Sequence, residues 1–245
     1  MRLLQPLPCR DRPETGARPI SLSPCLPGSA RAKKNLPAVF EFTLDAAHPN
    51  VLSVLDVDAR ANAHVTLVQV VRGDAENGVA AGLVRIRAAE GAQVRLVQLQ
   101  LLGSRARRWN AVAVEECTGA RVEQVRIELG GSVSACGTRA LLDHPKAEYD
   151  LDAVYFGSRN AVLDYNDLSV HTAKDTLCEM HTAGVLTGNA SKILRGTIDF
   201  RRGAKRGIGH ESEDVLLFSP TARSRTERST GTPSDGGCPL CTRHG

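Results

Sequence analysis

The chain has 245 residues, with 31 Lys and Arg set against 27 Asp and Glu, and aromatics make up only 4% of it. That length serves one large domain or two small ones. The mixed charge gives solubility and excludes a strongly basic nucleic-acid binder, and no apolar run reaches the roughly 20 residues of a membrane span. Seven scattered cysteines are an odd set in a chain too long for a disulfide mini-scaffold, and read as reduced thiols. The N-terminus carries Arg2, Pro6, Pro8 and Arg10 without an apolar h-region, so no secretory signal is read there.

Residues 1–38 are rich in Pro, Arg, Ser and Gly and have no periodicity, which predicts a flexible leader. From Phe40 the texture changes. Runs of β-branched and aliphatic residues follow at Val51–Val57, Val65–Val71, Leu83–Arg87, Val94–Leu102, Val112–Glu115 and Val122–Leu129. Their turns share a small-residue signature, Ala63-His64-Val65, Ala92-Gln93-Val94, Ala120-Arg121-Val122 and Ala147-Glu148-Tyr149. With Ala204-Lys205 later, and one unclear unit skipped near Asp175, the signature recurs at about 28 residues.

The most regular stretch is Lys192 to Phe218, where Ile193 and Leu194, then Ile198 and Phe200, predict two short strands around Gly196. A basic turn from Arg201 to Gly209 and the run Val215–Phe218 complete it. Alternation of period two bounded by glycine is strand chemistry. Units that cannot bury their apolar side alone must stack, so the pattern predicts an all-β chain, a parallel β-helix or β-solenoid over 39–218. A sandwich of short strands is the rival, and the repeating Ala-x-Val phase favours the solenoid. Residues 219–245 lose the apolar face and predict a disordered tail. From about 222 the composition is also that of a GC-rich coding stretch read out of frame.

Several side chains bear on chemistry. Cys238 and Cys241 with His244 form half of a zinc pattern, but no second pair supplies four ligands. Asp143, His144, Asp150, Asp152, Asp164 and Asp167 are a loose acidic group that could serve calcium or polysaccharide chemistry. Turn and outward strand positions, where Asp is ordinary, are the favoured reading. Arg105, Arg107 and Arg108 with Trp109 read as a solvated loop rather than a phosphate grip, and His171 and His181 as an uncoordinated pair near Cys178. Neither a Walker A run, a nucleophile elbow nor a dinucleotide fingerprint occurs, so an enzyme is not expected.

The runs Leu163-Asp164-Tyr165-Asn166, Val170-His171-Thr172, Arg195 to Ala204 (RGTIDFRRGA) and Glu213-Asp214-Val215-Leu216-Leu217 resemble the SufB/SufD family. These are scaffold subunits of the Suf iron–sulfur cluster assembly machine, and the resemblance covers roughly Phe40 to Phe218. It implies a right-handed parallel β-helix and a non-catalytic cytoplasmic scaffold that carries a transient iron–sulfur cluster or iron. It implies as partners a paralogous β-helix subunit, or the chain itself through the helix edge, and a SufC-like ABC ATPase. Neither nucleic acid nor membrane is among them. Family members continue with an acidic stretch and a histidine-glycine or Cys-x-His-Gly element that opens a helical domain. Here Thr226 to Gly237 stand in that place, and Cys241 and His244 are the counterparts of the ligand element with one residue too many between them. The helical domain is expected to be absent and ATPase docking to fail with it. A carbohydrate-acting β-solenoid using the Asp group is the alternative.

Overall fold

The computed structural model describes residues 20–22, 28–30 and 36–231. Two short strands, β1 (Ile20–Leu22) and β2 (Gly28–Ala30), precede the main body. Then come β3 (Ala38–Leu44), β4 (Asn50–Ala59), β5 (His64–Gly73), β6 (Val79–Ala88), β7 (Gln93–Leu102), β8 (Arg107–Glu116) and β9 (Arg121–Glu128). The rest are β10 (Val133–Leu142), β11 (Glu148–Gly157), β12 (Val162–His171), β13 (Leu177–Leu186), β14 (Ser191–Phe200), β15 (Ile208–Leu217) and β16 (Arg223–Gly231). The described residues contain no helix. Even-numbered strands from β4 to β16 stack in parallel as one sheet, with β1 and β2 added antiparallel beyond β4. Odd-numbered strands from β3 to β15 form a parallel sheet of seven. Each odd–even pair is one coil of a β-solenoid, so β3–β4 is the first coil and β15–β16 the seventh. The expected all-β parallel β-helix is thus the observed fold.

The coils bend where the sequence supplies small residues. Ala92, Ala120 and Ala147 are fully buried and stack through backbone hydrogen bonds, Arg121 N–H to Ala92 O at 2.9 Å and Glu148 N–H to Ala120 O at 2.9 Å. The unit near Asp175 keeps the phase with Thr176, which accepts from Ile208 N–H at 2.8 Å. Gly207, rather than Ala204, therefore holds the small-residue place in the last coil. One step earlier a second column bends through the left-handed region, at Asn62, Gly91, Gly119, Lys146, Asp175 and Arg206, with φ between 55° and 65°. On the opposite side Ala106, Ala161, Ala190 and Ala222 form a matching column. Arg223 N–H donates to Ala190 O at 2.9 Å there.

Two expected boundaries move. Ser191–Phe200 is one strand, not two, with Gly196 inside it. The solenoid also continues past Phe218. Strand β16 pairs with β14 in parallel from Ser191↔Arg223 to Asp199↔Gly231, although its sequence has no apolar alternation. A ladder needs backbone groups, not apolar side chains, and β16 borrows its template from β14. Residues 232–245, including Cys241 and His244, and most of the expected leader lie outside the described residues.

The interior is divided along its width. On one side Val57, Ile86, Val114 and Ala140 pack with Val94, Val122 and Tyr149 in a continuous apolar cluster. On the other side, inward polar side chains alternate with two smaller apolar clusters, one around Leu44, Val71 and Leu102 and one around Tyr155, Leu163 and Leu194.

Candidate functional site

Strand parity decides which side chains enter the interior. In β8 the inward residues are Arg108, Asn110, Val112, Val114 and Glu116, and in β9 they are Val122, Gln124, Arg126 and Glu128. β10 adds Ser134, Cys136 and Thr138, and β12 adds Tyr165 and Asp167. Alternation forces these side chains inside whatever their polarity.

Several of them pair with one another there. Arg126 donates to both carboxylate oxygens of Asp167, at 2.9 and 2.7 Å, and lies 4.7 Å over the Tyr165 ring. The Arg126 and Asp167 side chains are only 1% and 3% exposed, so water does not screen this fork-to-fork pair. Arg108 faces Glu128 at 3.3 Å, but its guanidinium nitrogens make no hydrogen bond. Glu128 accepts instead from Ser134 Oγ at 2.7 Å, and Ser134 lies 3.6 Å from the Cys136 sulfur. Towards the first coils an amide ladder runs along the axis, Gln98 to Gln69 at 2.7 Å and Gln124 to Gln98 at 3.1 Å, with Tyr149 donating to Gln124 at 2.9 Å. Towards the last coil Lys192 pairs with Glu213, which Tyr155 and Thr226 also reach. Glu211 leans over Gly196, where any Cβ would collide with its carboxylate.

Burial sets the protonation states. The Cys136 thiol is pushed up to about 12 by desolvation and by the Glu128 carboxylate, so it stays protonated and is a poor nucleophile or ligand as it stands. Burial, with the Asp150 carboxylate adding to it, holds the Glu116 carboxyl well above its usual range. Glu211 is raised to about 7 by burial, against the lowering effect of Arg228. The site therefore holds charge buried between the sheets, paired at Arg126–Asp167 and Lys192–Glu213. Among the described residues no group of three or more His, Cys, Asp and Glu side chains is placed to hold a metal ion.

The residues singled out in the sequence divide cleanly. Asp143 sits in a turn beside His144 at 2.7 Å. Asp150 faces outward with Arg121 at 2.7 Å, and Asp164 pairs outward with Arg195 on the other sheet. Asp152 lies 3.9 Å from His181, which reaches Asp214 at 3.2 Å. Asp150, Asp152 and His181 line a shallow cleft of about 400 Å³ on the outer face of the odd sheet. Asp167 departs from the outward reading, being buried against Arg126. Arg105 is in a turn with Asp74, as expected, but Arg108 is not in a solvated loop, since it points into the core from β8. His171 and His181 do not share a face. His171 is buried between Ser169 and Thr176, at 3.0 and 2.7 Å, and stacks on Phe200. Cys136 and Cys178 are buried free thiols. Arg126, Glu128, Cys136 and Lys192 escaped notice as site residues. The signal that could have found them is charge at inward parity on strands whose apolar phase was already read.

The fold is a parallel β-solenoid with ion pairs buried between its two sheets. The model of the SUF system FeS cluster assembly family, SufBD core domain, matches residues 42–227. The chain belongs to the SufB/SufD family, and its role lies in iron–sulfur cluster assembly. A search of curated proteins finds no match. The family match runs beyond residue 222 and, with β16, carries the family pattern past the point where a change of reading frame was expected.

Proposed function

We propose that the chain is a non-catalytic scaffold subunit of the Suf assembly complex in the cytoplasm, working with a paralogous β-helix subunit and a SufC-like ABC ATPase. The observation that carries this reading is the edge formed by β15 and β16, the outermost strands of the two sheets among the described residues. Beyond β15 and β16 no strand follows among the described residues, and Leu216, Leu217 and Phe218 are 59%, 51% and 71% exposed beside that edge. Unpaired ladder groups next to apolar side chains invite strand addition by another β-helix. An iron–sulfur cluster or iron is the cargo, with Cys241 and His244 as the ligand pair that the family resemblance suggests. Scattering of the carboxylates over two outer faces and the core speaks against the carbohydrate-acting alternative, which needs two paired acids.

Sedimentation velocity at tens of micromolar tests the partner reading, with the chain alone and mixed with a SufB-like paralogue. A mixed species is expected. Sedimentation of both chains as separate monomers would overturn it. The purified chain is also expected to hydrolyse neither ATP nor polysaccharide. Turnover of either that disappears in Asp164→Asn or Asp152→Asn would sink the non-catalytic reading.

A further inference from the structure

Charges on the outside of the solenoid are matched between neighbouring coils. Arg85 meets Asp56, Arg87 meets Asp58, Arg105 meets Asp74, Arg121 meets Asp150 and Arg195 meets Asp164. In the later coils, the edge where even strands turn into odd ones departs from this. Its turns 143–147, 172–176 and 201–207 hold six Lys and Arg against two Asp. On the opposite edge of the same coils, turns 129–132, 158–161 and 187–190 hold Arg159 as their one Lys, Arg, Asp or Glu. Backbone hydrogen bonds stack the basic turns, Lys146 N–H to Lys174 O at 3.2 Å and Asp175 N–H to Lys205 O at 2.9 Å. Lys174 therefore stacks on Lys205, and Lys146 lies one position further along the turn of the coil before. All three lysines are exposed, and among the described residues no carboxylate is within ion-pair distance of them. Asp175 feels the fields of Lys146 and Lys174, but its two oxygens are taken by Arg206 at 2.6 and 2.7 Å. The last turn is also two residues longer than the other two, which brings exposed Arg201 and Arg202 onto the same ridge. Like charges stacked on adjacent strands repel and weaken a sheet, so the row does nothing for the fold that carries it.

We propose that this ridge docks an acidic segment of another protein, one that presents carboxylates in a row. Stacked coils set their turns about 4.8 Å apart. Side chains at i and i+4 of a helix are roughly 5–6 Å apart, and the flexible lysine stems take up the difference. Single-stranded nucleic acid is held by aromatic stacking as well as by charge, and the three turns hold no Phe, Trp or Tyr. A membrane surface is gripped by apolar anchors set beside the cations, and the same turns hold no Leu, Ile, Val or Met. This contact uses the turn edge, whereas the scaffold reading uses the strand edge, so either can fail without the other.

Fluorescence anisotropy of a labelled helical peptide with Glu at every fourth position tests the proposal on the full chain at low salt. Saturable binding is expected, and it should weaken as salt is raised. The triple variant Lys146→Gln, Lys174→Gln, Lys205→Gln should bind the peptide about tenfold more weakly, with far-UV circular dichroism unchanged. A control triple, Arg87→Gln, Arg105→Gln, Arg159→Gln, removes the same charge from other surfaces and should bind as the parent chain does. Absence of peptide binding, or equal weakening in both triples, overturns the proposal. So does tighter binding of oligothymidylate or of phosphatidylserine vesicles than of the peptide.

Discussion

Arg126 and Asp167 meet inside the solenoid because each falls on an inward position, one in β9 and the other in β12 of the next coil. Burying two charges costs several kcal/mol that their mutual hydrogen bonds only offset. Removing one partner should therefore hurt far more than removing both. Asp167→Ala is expected to lose about 3–5 kcal/mol of stability in denaturant melts, while a paired replacement by leucine at both positions should be near neutral. Equal losses in the single and double variants would contradict this account. The buried titratable groups give the protein two opposing pH limbs. His171 is held down to about 4 by burial, from an ordinary 6.5, so the unfolded chain binds the extra proton first. Stability then falls on acidification between these values, by on the order of 3 kcal/mol, and His171→Gln should flatten that limb. Glu211 has the opposite sign. Its carboxyl takes a proton near 7 in the fold and near 4.5 when unfolded, so its contribution is present below 4.5 and lost as pH rises through 7. Glu211→Gln should flatten this second limb in thermal melts across pH. None of this was legible from composition, because Asp167 looks like any other Asp until strand phase is applied to it.

The strands themselves were legible, since Val, Leu and Ile alternate at period two and the turns announce themselves through Ala92, Ala120 and Ala147. β16 was not. Arg223-Ser224-Arg225-Thr226-Glu227-Arg228 has no apolar phase, and only its template strand β14 makes it a strand. The clue lay instead in the turn, where Ala222 continues the column of Ala106, Ala161 and Ala190. Strand β16 also closes the core, because Thr226 bonds both Lys192, at 3.0 Å, and Glu213. A chain ended after Phe218 should melt at lower temperature than the full chain, and the β14 amides should exchange with solvent faster. Unchanged exchange in Ser191–Phe200 would show that β16 is dispensable.

At the scale of the molecule, stacking makes each coil depend on its neighbours alone. The period of about 28 residues was enough to read this architecture, while the placement of the buried ion pairs was not, because it depends on which turn each inward residue lies nearest. Far-UV circular dichroism should show β-structure with no helical minima, and hydrogen exchange should be slowest in the β7–β12 coils and faster at both ends. A plain solenoid of identical units can gain or lose a coil by duplication or deletion with little penalty. This one cannot. Arg108–Glu128, Arg126–Asp167 and Lys192–Glu213 each join one particular coil to the next, and no coil repeats another's charges. Copying or excising a coil would strand a buried ion, at about 3–5 kcal/mol each, so the ion pairs work as a counting device that fixes the number of turns while the outer surface is left free to diverge.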